Sequence, residues 1–131
     1  MTTPYVAVYG TLKKGYSNHD LMVQSGAEHL VTTVTKNKYR MMDGGYPAVY
    51  KEDPVCPIHV EVYKMENMAL LDMLEGHPDF FHREVVECMV PGIDVHAPST
   101  VPAWMYFGPE GEQGREAVVS DGNWKEDDLW W

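Results

Sequence analysis

Two stretches of the chain carry residues whose types and spacing could do chemistry. The first spans residues 5–15, YVAVYGTLKKG, where a short apolar run stops at Gly10. A glycine at a strand end lets main-chain N–H groups face a ligand, and such donors suit an anion such as a carboxylate. The alternative is a tight turn with solvated Lys13 and Lys14. The lysines precede Gly15, and a tyrosine follows it, so the pattern does not match a nucleotide-binding phosphate loop, which needs Gly-Lys followed by Ser or Thr.

The second stretch spans residues 70–84, LLDMLEGHPDFFHRE, and its distinctive residue is Glu75. On a helical wheel Glu75 lies within about 40° of Leu71 and about 20° of Met68, on or beside the apolar stripe. It also lies in the last turn, where the helix dipole disfavours negative charge. Both effects raise a carboxylate pKa, which suits a general base near neutral pH. The alternatives are an ion pair with a lysine or Arg83, or a half-solvated rim position.

Other residues give weaker evidence for a catalytic or binding site. The six histidines show neither HxH nor HExxH spacing, so no metal site is predicted, and no GxSxG nucleophile motif is present. Trp104 and Tyr106 lie two residues apart on a predicted strand and face the same side, so they line either the core or a groove. We take Tyr106 as a substrate-binding candidate. Asn18 is predicted as a helix N-cap rather than a ligand contact.

The elements that must position these residues are short. Periodicity predicts strands at 5–9, 29–34, 38–42, 56–63, 83–90 and 102–108, a turn leading into a strand over 43–50, and helices at 18–26 and 65–76. Gly76 is a natural residue to follow the second helix. Neighbouring strands joined by short turns, with two helices, predict a single α+β domain over residues 1–131. Its sheet is expected to be partly or fully closed rather than doubly wound and parallel.

Charge and composition narrow the choice of partners. The 131 residues carry a formal net charge of −10, which disfavours nucleic acid and anionic membranes as partners. The first ten residues have no signal-peptide pattern, and no apolar run approaches the ~20 residues of a membrane span. We therefore expect a cytosolic protein. The DDLWW segment at 127–131 leaves open a protein-interaction domain, and the oligomeric state is not predicted.

Several motifs together resemble one known family. VAVYGTLKKG, followed by Asn18, His19 and a leucine, resembles the N-terminal signature of the γ-glutamylcyclotransferase-like superfamily, and especially of its γ-glutamylamine cyclotransferase branch. Further landmarks follow in the family's order from residue 6 to residue 124: Tyr46 with Pro47, VEVY at 60–63, LLDMLEGHPDFFHREVV at 70–86 and SDGNW at 120–124. The YGTLK start and the LEGHP helix end are specific in combination.

The resemblance implies a fold, a reaction and a site. The fold is a small mixed β-barrel with flanking short helices. The reaction cyclises a γ-glutamyl group to 5-oxoproline and releases an amine or amino acid, with no metal or cofactor. The family's substrate-binding loop and its helix-end acid/base fall on these residues: Tyr9, Gly10, Thr11, Leu12 and, as the acid/base, Glu75.

Three departures from the family pattern bear on substrate choice more than on fold. Val60 stands where the strand motif usually has glycine, and the link from that strand to Glu75 is shorter than usual. Phe81 stands where tyrosine normally precedes the arginine, which removes a hydroxyl near the implied site. A binding module that kept the pocket without turnover therefore remains an alternative to the enzyme. The leaving group also stays open among a small amine, an isopeptide and an amino acid.

Overall fold

The computed structural model describes residues 3–44, 46–90, 99–109 and 117–125. Those residues form seven strands and two helices, which follow one another along the chain as β1 (Tyr5–Val8), α1 (His19–Gln24), β2 (Glu28–Asp43), β3 (Pro47–Tyr50), β4 (Cys56–Lys64), α2 (Ala69–Glu75), β5 (His82–Val90), β6 (Ser99–Phe107) and β7 (Ala117–Val118). The described part contains no helix that is long and apolar enough to cross a membrane. The predicted interaction segment DDLWW, 127–131, lies outside the described residues.

Five of the strands close into a barrel. The strand order β2-β4-β1-β6-β5 returns to β2 where Thr35 lies opposite Cys88. The β1–β6 pair is parallel, and the other four barrel pairs are antiparallel. Strands β3 and β7 both pair with the far end of β2, outside the closed ring. The predicted fold class, a small mixed β-barrel with flanking short helices, is confirmed.

The central strand β1 is buried on both faces. Ala7 belongs to the apolar cluster inside the barrel. Val6 and Val8 belong to a second cluster, which also contains Met22 of α1 and Leu71 of α2. The helices therefore cover the outer face of the strand while barrel side chains cover its inner face. This explains why β1 is an uninterrupted apolar run and shows no period-two alternation.

Two element predictions differ from the structure. The predicted strands 29–34 and 38–42 form one strand, β2, whose register against β4 shifts between Val34 and Lys38. Thr35 stabilises this irregularity because its Oγ1 accepts the Ile58 N–H at 2.9 Å and donates to the Asn37 carbonyl at 2.7 Å. A β-bulge of this kind bends a strand without ending it.

The helix predicted at 65–76 begins four residues later, at Ala69. The Met65 N–H donates to the Pro4 carbonyl at 2.7 Å, which keeps this part of the chain extended beside β1. Asn67 then accepts the Ala69 N–H through its side-chain oxygen at 2.9 Å. The helix ends as predicted, because Gly76 adopts a left-handed conformation with φ of 69°.

Candidate active site

A loop folded on itself follows β1. The Lys13 N–H donates to the Gly10 carbonyl at 3.0 Å, and the Asn18 N–H donates to the Thr11 carbonyl at 2.9 Å. The Asn18 side chain also donates to Thr11 Oγ1 at 2.9 Å, so Asn18 fixes the loop and makes no side-chain cap on α1. The main-chain N–H groups of Gly10, Thr11 and Leu12 have no acceptor among the described residues. They are available to an acceptor outside the protein.

Glycine is required at the first position of this loop. A Cβ placed on Gly10 would lie 2.7 Å from Cγ of Pro47, at the start of β3. That distance is well inside normal van der Waals contact, so any side chain would force the loop and the proline apart. The glycine that ends the apolar run thus allows close packing between the loop and β3.

The two lysines of the loop differ in their exposure to solvent. Lys13 is only 7% exposed, and its Nζ donates to the Trp124 carbonyl at 2.7 Å while lying 4.9 Å from the centre of the Tyr16 ring. Burial lowers the Lys13 pKa, and the Glu61 carboxylate partly offsets this effect. Lys14 is exposed, and its main-chain N–H donates to Glu61 Oε1 at 2.8 Å. The alternative prediction, that Lys13 and Lys14 are both solvated, is therefore wrong for Lys13.

Glu75, the last residue of α2, carries a carboxylate with an unusual environment. Among the described residues, no hydrogen bond or ion pair reaches that carboxylate. Burial raises its pKa from the ordinary 4.5 to about 7. The Tyr9 hydroxyl is affected in turn, because burial and then the charge of Glu75 raise the Tyr9 pKa. A group with these properties is divided between its acid and base forms near neutral pH.

The predicted alternative, an ion pair between Glu75 and Arg83, is wrong. Arg83 instead binds Asp72 through two nitrogens, at 2.9 and 3.2 Å, and its guanidinium lies 4.4 Å from the centre of the Trp104 ring. The Tyr106 hydroxyl donates to the same Asp72 carboxylate at 2.6 Å. Burial opposes ionisation of Asp72, but the bonds from Arg83 and Tyr106 outweigh it and lower the Asp72 pKa.

The sequence did not predict this Asp72 network. Asp72 occupies the first turn of α2, a favourable place for any acidic residue, so its position alone gave no reason to select it. Its two partners come from β5 and β6, which are adjacent antiparallel strands with Arg83 opposite Tyr106. Only that pairing brings the three side chains together. The network engages Arg83, the arginine that the sequence offered as an ion-pair partner for Glu75.

One pocket of about 270 Å³ brings the predicted site residues together. Its lining includes all six candidates: Tyr9, Gly10, Thr11, Leu12, Glu75 and Tyr106. The Tyr9 hydroxyl donates to the Tyr106 main-chain carbonyl at 2.9 Å, which joins the two sides of the pocket. The lining also contains residues that were not predicted as site residues: Ala7, Val8, Asn18, Tyr46, Pro47, Leu74, Phe80 and Phe81.

The pocket is apolar apart from one ionisable carboxylate, the tyrosine hydroxyls and the polar groups of the loop. Phe81, which stands at the family's tyrosine position, is buried and forms part of the wall. No set of three or more His, Cys, Asp or Glu side chains converges as metal ligands within the described ranges. The arrangement can bind a small anion at the loop and move a proton through Glu75 beside it.

Comparisons with known proteins identify the family of the chain. The sequence profile of the family described as "Gamma-glutamyl cyclotransferase, AIG2-like" matches residues 6–126. Two similar proteins carry the name "Putative gamma-glutamylcyclotransferase". The one from Methanocaldococcus jannaschii is 35% identical over 81% of this chain and 85% of its own length. The one from Vibrio cholerae is 30% identical over 91% of this chain and 93% of its own length.

A solved structure shows the same fold. The AIG2-like protein of Mus musculus superposes with a TM-score of 0.68 at 21% identity, covering 79% of this chain and 76% of that one. At that level of identity the similarity establishes the fold alone.

Proposed function

Because the chain belongs to the AIG2-like gamma-glutamyl cyclotransferase family, we propose that it converts a γ-glutamyl amine or γ-glutamyl amino acid to 5-oxoproline and releases the amine. The observation that carries this proposal is the unpaired Glu75 carboxylate, whose pKa is about 7 and which lies in one pocket with the main-chain donors of residues 10–12. A half-buried acid without a partner does not stabilise a fold, and it is the group that proton transfer at neutral pH requires.

The loop and the pocket walls have separate roles in binding. The N–H groups of Gly10, Thr11 and Leu12 hold the substrate's α-carboxylate, since no acceptor for them occurs in the part of the chain that the structure describes. Local, preoriented donors allow an acidic protein to bind an anion. Tyr9 and Tyr106 shape the wall on which the γ-glutamyl chain folds back, so that its α-nitrogen approaches its own γ-carbonyl.

Glu75 transfers protons in two matched rounds. As a carboxylate it removes one proton from the substrate's α-ammonium group, and the free amine attacks the γ-carbonyl carbon to form the ring C–N bond. Protonated Glu75 then gives that proton to the leaving nitrogen. It next takes the second proton from the ring nitrogen while the bond to the leaving amine breaks, and it returns this proton to the released amine. Two protons leave the attacking nitrogen and two reach the leaving amine, so the reaction balances.

The proposed reaction requires the protein mainly to position the substrate and to transfer protons. A five-membered ring closes within one molecule, so the effective concentration of the nucleophile is high and the reaction as written uses no metal or cofactor. A pKa of about 7 lets one carboxylate serve as base and then as acid. We expect this reaction to take place in the cytosol, as the sequence predicts.

The experiment that tests the proposal compares the parent protein with Glu75→Gln. Purified protein is incubated with γ-glutamyl amines and γ-glutamyl amino acids, and 5-oxoproline is quantified. The variant should keep its circular dichroism spectrum and lose at least about 10²-fold in rate, the low end for a positioned acid/base. In the parent, kcat/KM should rise as the pH rises through about 7, where Glu75 becomes a carboxylate. Activity of the variant within a few-fold of the parent would remove Glu75 from the mechanism.

A binding module without turnover is the rival, and Phe81 is the observation that favours it. A phenyl ring cannot donate the hydrogen bond that the family's tyrosine could offer at this buried position in the wall. Calorimetry that shows saturable binding of a γ-glutamyl compound, with no 5-oxoproline formed from any member of the panel, would establish the rival. Phe81→Tyr is then the informative variant, since it restores the hydroxyl in the same ring position.

A further inference from the structure

The opening of the pocket is lined by large apolar side chains. The deep part of the lining is buried, whereas Tyr46, Leu74 and Phe80 are 44%, 43% and 44% exposed. Single exposed apolar residues are ordinary, but three that line one cavity give it an apolar opening that a bound molecule would cover. Leu74 and Phe80 come from the stretch around the end of α2 and Tyr46 from just before β3, so the fold assembles this surface from two parts of the chain.

The aromatic part of this opening continues into the pocket. The Phe80 and Phe81 ring centres lie 5.2 Å apart, and the Tyr46 ring lies 6.5 Å from Phe80 and 6.0 Å from Phe81. Phe81 is buried beside the site, whereas Phe80 and Tyr46 reach solvent. A ligand that extends outward from the reacting centre therefore passes along aromatic rings that contact one another. Such rings favour an apolar group over water.

The distribution of charged residues around the pocket also favours an apolar, uncharged ligand group. The described lining contains no Lys, Arg or His, and its one carboxylate is Glu75. The neighbouring cation Arg83 is bound to Asp72 on two nitrogens, and Lys13 donates to the Trp124 carbonyl. A second carboxylate on the substrate would thus lose water without gaining a counter-ion, close to Glu75 and in a chain of net charge −10.

We propose that the pocket selects γ-glutamyl amides whose leaving amine is apolar, uncharged and without a carboxylate, and that Tyr46, Leu74 and Phe80 bind this amine portion. The inference rests on the proposed function, in which the γ-glutamyl group occupies the loop side of the pocket. That group is common to all candidate substrates. What differs among them is attached at the reacting carbonyl and extends toward the opening, where the apolar surface lies.

Matched substrates test the proposal. γ-Glutamyl phenethylamide and γ-glutamyl phenylalanine differ only by a carboxylate, and γ-glutamyl ethylamide lacks the ring. The phenethylamide should exceed each of the other two in kcat/KM by at least about tenfold, within the range that apolar pockets achieve. A further pair, γ-glutamyl butylamide and the same compound with a terminal ammonium, should favour the butylamide. Preference for the phenylalanine or ammonium compound, or equal rates within any pair, would overturn the proposal.

Two variants test whether the side chains at the pocket opening produce this substrate preference. Phe80→Ala should reduce the phenethylamide-to-ethylamide ratio several-fold, because it removes a ring from the apolar surface at the opening. Met73→Ala is the matched control: Met73 is 77% exposed on the same helix as Leu74 and does not line the pocket, so the ratio should not change. An unchanged ratio in the Phe80 variant, or an equal loss in both variants, would contradict the assignment of this surface.

Failure of this proposal can be distinguished from failure of the proposed function. If no compound yields 5-oxoproline, the proposed function fails. Calorimetry then measures the dissociation constants of the same pairs of compounds, and these constants test whether the pocket prefers an apolar amine. An affinity preference of at least about tenfold for the phenethylamide, roughly 1.4 kcal/mol, supports it. Equal affinities, the reverse order or no binding overturn it.

Discussion

Glu75→Gln should make the protein more stable at neutral and alkaline pH than the parent. Below pH 4.5 the carboxyl group is protonated in both the folded and the unfolded chain, so the substitution changes little there. Between pH 4.5 and about 7 the unfolded chain ionises first, whereas burial keeps the folded carboxyl protonated. The folded state then binds more protons, and the parent's stability falls as the pH rises. Glutamine does not ionise and escapes this loss.

The size of the effect follows from the two pKa values. A rise from 4.5 to about 7, at about 1.4 kcal/mol per pH unit, gives a variant about 3 kcal/mol more stable above pH 7. The advantage should shrink steadily as the pH falls and vanish below pH 4.5. Most single substitutions destabilise, so a gain of this size at one half-buried position would be distinctive.

The assay is urea unfolding of parent and variant at several pH values without substrate, with the free energy extrapolated to zero urea. Glu66→Gln is the matched control, since Glu66 is exposed on the segment before α2 and its substitution should change stability by at most about 0.5 kcal/mol. The reasoning is refuted if Glu75→Gln is less stable than the parent at alkaline pH and the deficit shrinks in acid. Such a result would mean that Glu75 is an ion-pair anchor.

Two further predictions concern the loop after β1. Gly10→Val should abolish substrate binding, measured by calorimetry, because its Cβ would lie 2.7 Å from Pro47 Cγ and displace the donors; affinity within a few-fold of the parent would show that the loop is not the anion site. Lys13→Ala should lower the free energy of unfolding by about 1–3 kcal/mol, because it leaves the Trp124 carbonyl without its buried donor. Lys14→Ala should change it by no more than about 0.5 kcal/mol, and equal losses in urea would contradict the distinction drawn between the two lysines.

The sequence predicted the element types well because their patterns are local. Strand β4 alternates as expected, with Ile58, Val60 and Val62 inside the barrel and His59 exposed. The end of α2 was equally clear, since a left-handed residue after a helix is usually glycine. The family motifs then supplied what local patterns lack, namely that a loop near residue 10 and a helix end at residue 75 share one pocket.

Interactions between distant segments were not predictable from the sequence. Three polar residues in the middle of β2, at 35–37, divided it into two predicted strands, because a bulge and a turn can both contain polar residues. The start of α2 is set by the bond from Met65 to Pro4, and the partner of Arg83 is set by strand pairing. Asn67 was a usable local signal, because a side chain that accepts a hydrogen bond two residues later often precedes a helix.

The position of β1 in the barrel affects when the candidate active site can form during protein synthesis. One neighbour, β4, is available by residue 64, but the other, β6, is complete only at residue 107. The bond from Lys13 to Trp124 joins residues 111 positions apart, and that from Thr3 to Pro102 joins residues 99 positions apart. Contacts this distant form slowly, and an unpaired apolar strand edge invites aggregation meanwhile. A growing chain therefore carries β1 half-covered until β6 has emerged, and the Lys13 side chain gains its main-chain acceptor only after Trp124 has been added.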